Sequence, residues 1–211
     1  LCKAQRFRYA HNDMEDLERV LQHIPEKAPK LVVTDGVFSV TGEIVNLPDM
    51  IKVAHKYGAR VMVDDAHSVG VIGKGGRGTA SHYDCEKDTD LVIGTFSKTF
   101  ASLGGFVAGP ERVINFMKHT SPALIFSASP TPASCASALA ALDILEKHPE
   151  LVEQLLFNAK YASDGLHSKG FTVIPSQTGI VPVIVGEVDK AFITWRKLFD
   201  RGIFVNAFIP P

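Results

Sequence analysis

Three short apolar segments, separated by stretches with helical character, constrain most strongly what this chain can fold into. Residues 30–34, 60–64 and 91–93 are each rich in Val, Leu and Ile. Runs of this length and composition are typical of buried strands. Between the first two, residues 47–57 predict a helix with proline near its first turn, where the missing N–H does no harm. Strands that alternate with helices predict an α/β fold with a mostly parallel sheet flanked by helices.

The remaining elements are predicted from the same patterns. Periodicity, capping residues and proline breaks predict further helices over residues 14–23, 110–119, 132–147, 150–168 and 189–201. Apolar runs predict further strands over residues 105–108, 123–126, 171–174, 180–185 and 203–206. The glycine-rich segment 69–84 is expected to be a surface loop.

Composition excludes several classes of function. The 211 residues carry a formal net charge of -1 and no long run of like charge, which argues against a nucleic-acid or membrane-surface partner. The three cysteines are far apart and have no metal-type spacing, so we expect a reduced, cytoplasmic protein without a metal site. The longest apolar runs are too short to span a membrane. The chain opens without an initiator Met, and we expect it to be a fragment.

A single lysine lies in an uncharged stretch of sequence. Lys98 is the centre of residues 94–100, and it has no charged neighbour between Leu91 and Gly109. The phenylalanines at 96, 100 and 106 predict a dry site, and burial lowers the pKa of a lysine and frees its amine to form an imine. The alternative is a lysine that extends into solvent from a loop beside a packed strand.

An aspartate closes the preceding strand, at the end where open α/β sheets bind ligands. Because residues 60–64 are otherwise mostly apolar, the carboxylate of Asp64 would be poorly solvated unless it met a cation. A pyridinium nitrogen is such a cation. An imine-forming lysine and an aspartate that keeps a ring nitrogen protonated are together what pyridoxal phosphate requires, because the protonated ring accepts electrons. The sequence therefore predicts a pyridoxal-phosphate site.

Other polar residues are candidates for the same site. His67 would bond the phenolic oxygen of the ring or transfer a proton. Thr95 and Ser97 offer hydroxyls for the phosphate, since no P-loop signature is present. The alternatives are that Asp64 and Asp65 form a metal-binding pair or a helix cap, and that His67 is a core histidine. No glycine motif of the nicotinamide-binding type follows a strand.

Several motifs, in chain order, resemble the α-oxoamine synthase family. They are Thr-Asp-Gly-Val-Phe-Ser at 34–39, Val-Asp-Asp-Ala-His-Ser-Val-Gly-Val-Ile-Gly at 63–73, Gly-Arg-Gly-Thr at 76–79 and Gly-Thr-Phe-Ser-Lys at 94–98. The resemblance extends over essentially the whole chain. It implies a fold-type-I pyridoxal-phosphate enzyme, similar to serine palmitoyltransferase, oxononanoate synthase or glycine acetyltransferase. These enzymes condense an amino acid with an acyl thioester and release carbon dioxide, giving a 2-amino ketone.

The resemblance also implies roles for individual residues. Lys98 would bond covalently to the cofactor and, once released, remove the α-proton of the substrate. Asp64 would pair with the ring nitrogen and Thr95 would bind the phosphate. His67 and Ser39 would contact the phenolic oxygen, and His67 is the candidate acid near the thioester carbonyl. On residues alone, Ser39 could instead simply close a turn.

Assembly and domain organisation are likewise implied. The family site lies at a homodimer interface, where many members use a threonine or serine to reach the phosphate of the partner subunit's cofactor. Ala128 lacks that hydroxyl, so backbone N–H groups or Ser129 would make the contact. The acyl donor would be a coenzyme A or carrier-protein thioester. A break at His148-Pro149 predicts residues 1–147 as part of a large pyridoxal-phosphate-binding domain. Residues 148–211 would begin a smaller α+β domain.

The branch of the family and the completeness of the site are further expectations. The motifs resemble serine palmitoyltransferase-like members most, with oxononanoate synthase, glycine acetyltransferase and an aminotransferase as alternatives. A regulatory subunit of such an enzyme is a non-catalytic alternative, although such subunits lack the lysine and Lys98 is present. The family's phosphate loop, ring-stacking histidine and carboxylate-binding arginine have no counterpart here, so we expect the 211-residue chain alone to be poorly active.

Overall fold

The strands that the structure describes form one mostly parallel sheet. In the computed structural model, which describes residues 4–209, the strands run in the order β1-β2-β3-β4. Strands β1 and β2 are parallel, β2 and β3 are parallel, and β4 is antiparallel to β3. The prediction of a mostly parallel sheet is confirmed. The strands are β1 (Lys30–Asp35), β2 (Ala59–Asp64), β3 (Leu91–Thr95) and β4 (Gly105–Ala108).

Six of the helices that the structure describes occur close to their predicted positions, and two short helices were not predicted. Asp13 caps α1 as expected, since its side chain accepts a hydrogen bond from the N–H of Asp16 at 2.9 Å. Thr131 caps α6 in the same way through the N–H of Ser134. The helices are α1 (Met14–Gln22), α2 (Leu47–Lys56), α3 (Thr79–His82), α4 (Glu111–Thr120), α5 (Pro122–Ile125), α6 (Pro132–Lys147), α7 (Glu150–Ser168) and α8 (Val188–Phe199).

Helices α1 and α2 cover one face of the sheet. Side chains alternate along a strand, so Val32, Val61 and Val63 turn into a core that α1 and α2 complete with Leu17 and Met50. The residues between them on β1 point to the opposite face and remain exposed. This alternation places the last residues of β1 and β2, Asp35 and Asp64, on that second face.

The chain separates into two compact units. One contains residues 1–38 and 44–154, and the other contains residues 39–43 and 155–211. The His148-Pro149 break separates α6 from α7, as the sequence predicts. The division into domains at that break stays a prediction.

Two predictions in the middle of the chain are wrong. Residues 123–126 are not a strand, because Pro122 begins the short helix α5 and the carbonyl of Ser121 accepts the first N–H groups of its turn. The segment 69–84 is not a surface loop, because its glycines let the backbone fold back on itself. Much of the segment is buried, including the helix residues Thr79 and Ala80.

The predicted strands after Gly170 are also wrong. Residues 172–174 and 182–184 pair only briefly, through Ile174 N–H to Pro182 carbonyl at 3.0 Å and Ile184 N–H to Thr172 carbonyl at 2.9 Å. Pro182 has no N–H for a ladder, which limits the pairing. Residues 203–206 have no strand neighbour among the described residues and do not form a strand.

Candidate active site

Two adjacent carboxylates at the end of β2, those of Asp64 and Asp65, point in opposite directions. Asp64 is in register with Asp35 of β1, and both lie on the face of the sheet opposite α1 and α2. Oδ1 of Asp64 accepts a hydrogen bond from the N–H of Ala66 at 3.0 Å, which fixes the carboxylate at the turn. The next residue, Asp65, is 1% exposed and faces the other way. The two carboxylates do not converge, so they do not support a metal-binding pair.

Four charged or titratable side chains interact at this edge. Partial burial raises the pKa of the Asp35 carboxyl and the negative charge of Asp64 raises it further, whereas His67 and Lys98 oppose the rise. Burial lowers the pKa of the half-buried His67, as does the positive charge of Lys98, while Asp35 and Asp64 oppose that shift. Two acids, an imidazole and an amine therefore share one electrostatic environment.

The turn after β3 is held together by backbone and hydroxyl bonds. The hydroxyls of Thr95 and Ser97 are 2.8 Å apart, and Thr95 Oγ1 also donates to the carbonyl of Gly104 at 3.2 Å. The carbonyl of Lys98 accepts a bond from the N–H of Ala101 at 3.0 Å. These contacts cluster the two hydroxyls that the sequence predicts for a phosphate directly before the lysine.

Lys98 itself is exposed, and the expectation of dry surroundings is wrong for this chain. The three phenylalanines pack against one another instead of around the amine. The ring of Phe96 lies 5.7 Å from that of Phe100 and 5.7 Å from that of Phe106, measured between centroids. The packed rings support the turn, and the Lys98 side chain extends from that turn into solvent.

A threonine connects the lysine turn to the histidine turn. Thr99 follows Lys98, and its hydroxyl donates to the carbonyl of Val69 at 2.8 Å. Val69 is two residues after His67, and its N–H is bonded to the carbonyl of Asp65 at 3.0 Å. The two segments that carry the candidate catalytic residues are thus joined directly.

The other predicted site residues lie elsewhere along the chain. Ser39 is half-buried and begins the segment 39–43, beyond the end of β1 rather than at it. Ala128 and Ser129 are exposed in the segment between α5 and α6. The roles assigned to these three residues stay predictions.

The donor set fits pyridoxal phosphate. An exposed primary amine suits an aldehyde, a carboxylate at the neighbouring strand end suits a protonated ring nitrogen, and two adjacent hydroxyls suit a phosphate. Within residues 4–209 no group of three His, Cys, Asp or Glu side chains is arranged to hold a metal ion. In the same range no helix has the length and apolar character needed to cross a membrane.

Comparison with known families identifies the chain. The family model for aminotransferase class I and II matches residues 1–211. The chain belongs to the aminotransferase class I and II family. Within this family, it is 49% identical over 204 residues to serine palmitoyltransferase of Sphingobacterium spiritivorum, covering 97% of this chain and 51% of that protein. It is 43% identical over 212 residues to 8-amino-7-oxononanoate synthase of Thermoanaerobacter pseudethanolicus, covering 100% of this chain and 54% of that protein.

Solved structures of the same family agree. A serine palmitoyltransferase determined with its pyridoxal-phosphate internal aldimine matches with a TM-score of 0.93 at 37% identity, over 97% of this chain and 52% of that one. The Sphingomonas wittichii serine palmitoyltransferase also matches with a TM-score of 0.93, at 33% identity over 97% and 52%. The fold-type-I prediction and the resemblance to α-oxoamine synthases are confirmed. The chain spans about half the length of the curated relatives it matches.

Sequence reasoning missed three residues that the structure adds to the site. Asp35 ends β1 in register with Asp64, and its position at a strand end was the available signal. Asp65 was considered only with Asp64, as a metal-binding pair or a helix cap. Thr99 gave no signal, because its partner is the carbonyl of a residue 30 positions away.

Proposed function

We propose that this chain carries the cofactor-binding core of a pyridoxal-phosphate-dependent α-oxoamine synthase of the serine palmitoyltransferase type. The observation that carries the proposal is the shared electrostatic environment of Lys98, Asp64 and His67 at the ends of adjacent parallel strands. The 49% identity to a serine palmitoyltransferase supports the choice of chemistry. The reaction would join an amino acid to an acyl thioester, release carbon dioxide and form a 2-amino ketone.

Each part of the cofactor has a candidate partner. Lys98 Nζ would bond to the aldehyde carbon, and the Asp64 carboxylate would pair with the ring nitrogen. His67 and Ser39 would bond the phenolic oxygen, and the Thr95 and Ser97 hydroxyls would bind the phosphate. When bound, the cofactor supplies an electron sink that stabilises negative charge at the substrate α-carbon. Asp64 would sustain that property by keeping the ring nitrogen protonated.

The protein's own groups would move the protons. Lys98 Nζ, once free, would take the α-proton of the amino acid. Because burial and Lys98 lower the pKa of His67, its imidazole is neutral near pH 7 and keeps one ring N–H. That N–H would donate to the carbonyl oxygen of the thioester as the new carbon–carbon bond forms.

The substrates follow from the relatives by analogy. The names of the serine palmitoyltransferase relatives point to serine and a palmitoyl thioester, carried by coenzyme A or a carrier protein. The second candidate is an oxononanoate synthase, which the 43% identity to two such enzymes favours. The two candidates differ in acyl chain and amino acid but share the residues proposed above.

The assembly is part of the same proposal. We infer a homodimer in which backbone N–H groups near Ala128, or the hydroxyl of Ser129, reach the partner subunit's cofactor. Exposed apolar side chains just before this segment support an interface there, with Phe126 87% exposed. The free thiols of Cys85 and Cys135 support a cytoplasmic location.

Product analysis tests the function. The complete polypeptide, loaded with pyridoxal phosphate, is incubated with serine and palmitoyl-coenzyme A, and the products are measured by mass spectrometry together with released carbon dioxide. We expect a long-chain 2-amino ketone and one carbon dioxide for each thiol released. A keto acid without carbon dioxide would show an aminotransferase instead, and a nine-carbon amino-oxo acid from other substrates would favour the second candidate.

A further inference from the structure

Asp65 connects the turn after β2 to β3 and to α3, yet the proposed chemistry does not use it. Its N–H donates to the carbonyl of Ile93 in β3 at 2.8 Å. Its carbonyl accepts bonds from the N–H groups of Ser68 at 2.9 Å and Val69 at 3.0 Å. The backbone of Asp65 thus closes the turn that contains Asp64 on one side and His67 on the other.

The side chain of Asp65 is enclosed between two glycines. Its Oδ2 accepts a hydrogen bond from the N–H of Thr79 at 3.0 Å. A β-carbon at Gly78 would lie 2.2 Å from Oδ2, and one at Gly36 would lie 2.2 Å from Oδ1. Since no side chain tolerates such distances, both positions require glycine for the carboxyl to fit. The carboxyl group of Asp65 is therefore enclosed on both sides by backbone.

The second carboxyl oxygen has no hydrogen-bond partner among the described residues. It converges with the hydroxyls of Thr79 and Ser68 on the same side of Gly36. The Thr79 hydroxyl already donates to Ser68 Oγ at 2.9 Å, so its oxygen is left as an acceptor. An acceptor beside an unpartnered carboxyl oxygen is satisfied when that oxygen carries a proton.

We propose, resting on the proposed function, that Asp65 is a positioning residue: its buried carboxyl group, in the uncharged form, fastens the turn 64–68 to Gly78 and Thr79. This attachment fixes the direction in which Asp64 and His67 face the cofactor. It also leaves Asp64 as the carboxylate of the adjacent pair that carries negative charge toward the ring nitrogen. Burial raises the pKa of Asp65 and the nearby Asp64 charge adds to the rise, whereas the Thr79 N–H and the neighbouring hydroxyls of Thr79 and Ser68 oppose it.

Three variants of the complete polypeptide test this assignment. Asp65→Asn keeps the shape of an uncharged carboxyl, Asp65→Ala removes the attachment, and Met50→Ala destabilises the core at a fully buried site on the α2 side. The cofactor dissociation constant is measured by titrating each apoprotein with pyridoxal phosphate. The absorbance of the bound cofactor is then followed across pH.

We expect Asp65→Ala to weaken cofactor affinity about tenfold or more, because the Thr79 N–H and the hydroxyls lose their partner. Its absorbance should also titrate at a different pH from that of the wild type, since Asp64 is displaced. Asp65→Asn should bind and titrate like the wild type. Met50→Ala should lose stability without changing either measurement, which separates positioning from stability alone.

A measurement on the apoprotein tests the uncharged state separately. The infrared spectrum of the wild type at neutral pH should contain the carbonyl band of a protonated carboxylic acid that Asp65→Asn lacks. A missing band, an Asn variant as defective as the Ala variant, or an Ala variant with wild-type affinity and titration would each overturn the proposal. If Asp65→Ala does not fold, the Asn variant and the infrared band still decide. A wild type that takes up no pyridoxal phosphate would refute the proposed function instead, while the infrared comparison still applies.

Discussion

At the scale of single residues, the phenylalanines beside Lys98 support its turn but do not surround its amine. The phenylalanines that flank Lys98 in sequence pack on one another, and the amine extends into solvent. An exposed amine remains accessible to an aldehyde. Lys98 lies near enough to Asp35 and His67 at the sheet edge for its positive charge to lower the pKa of each.

Lys98→Ala should abolish covalent cofactor attachment and lower turnover by at least about a thousandfold, because both the nucleophile and the proposed base are removed. Attachment is measured by borohydride reduction of the loaded protein followed by mass spectrometry, and turnover by carbon dioxide release. Lys87→Ala is the matched control, since Lys87 is also exposed but lies outside the site. A cofactor adduct that persists in Lys98→Ala would contradict the assignment.

His67 should make the stability of the folded chain depend on pH. Its pKa is lowered in the folded state by burial and by Lys98, whereas an unfolded histidine titrates near about 6.5. Below that pH the unfolded chain binds a proton that the folded chain resists. The stabilising contribution is therefore present above about pH 6.5 and is lost as pH falls through the folded value.

Thermal unfolding measured at a series of pH values tests this dependence. His67→Gln should show a smaller fall in melting temperature than the wild type as pH is lowered from about 7.5 to about 5.5. The exposed His167 provides the control, and His167→Gln should keep the wild-type dependence. Parallel curves for wild type and His67→Gln would contradict the shift.

At the scale of elements, the side chain of Thr99 joins the turn after β3 to the turn after β2. Thr99→Val keeps the shape of the side chain but removes the bond to the Val69 carbonyl. We expect a loss of about 1 kcal/mol of stability together with weaker cofactor binding, because the turns that carry Lys98 and His67 lose the bond that joins them.

Thr89→Val is the matched control for this connection. Thr89 also donates its hydroxyl to a backbone carbonyl, that of Cys85 at 3.1 Å, but away from the site. Both variants should lose similar stability in urea unfolding, whereas only Thr99→Val should raise the cofactor dissociation constant. Equal cofactor affinity in the two variants would show that the Thr99 bond serves stability alone.

The elements themselves were largely predictable wherever a segment pairs with strong neighbours. β1, β2 and β3 are short apolar runs that lie side by side, and α6 and α7 have clear proline and capping signals. The run 171–174 has the same strand-like composition but lacks a partner able to continue the ladder. Composition reports what a segment can bury, and strand formation depends on a neighbour that composition does not reveal.

The candidate site was predictable to the same extent. The three strand-end motifs pointed to Asp64, His67 and Lys98 because parallel strands bring their carboxyl ends to one edge. The roles of Asp35 and Asp65 depend on register and on which face each side chain occupies. The pairing of Asp35 with Asp64 sets both the register and the faces. A shift of one residue would move each of these side chains to the opposite face of the sheet.

At the scale of the molecule, the residues that end β1 and β2 lie on the face of the sheet opposite α1 and α2. Leu31 and Val33 of β1 are 51% and 49% exposed, and they lie on the same face as Asp35 and Asp64. The opposite face is closed by α1 and α2. The helices α1 and α2 therefore support the sheet from the side away from these residues.

The proposed dimer makes a prediction about an exposed segment. Leu124, Ile125 and Phe126 are 56%, 50% and 87% exposed, directly before Ala128 and Ser129. Three adjacent apolar side chains in water favour burial by another surface.

Phe126→Glu should therefore shift the complete polypeptide from dimer to monomer, as measured by light scattering after size exclusion, because a charge would have to be buried at the interface. The monomer should also bind pyridoxal phosphate more weakly if the partner subunit contacts its phosphate. Phe204→Glu provides the control, since Phe204 is 76% exposed but belongs to the other compact unit, and it should leave the dimer intact. A Phe126→Glu protein that remains dimeric with wild-type cofactor affinity would exclude this segment from the interface.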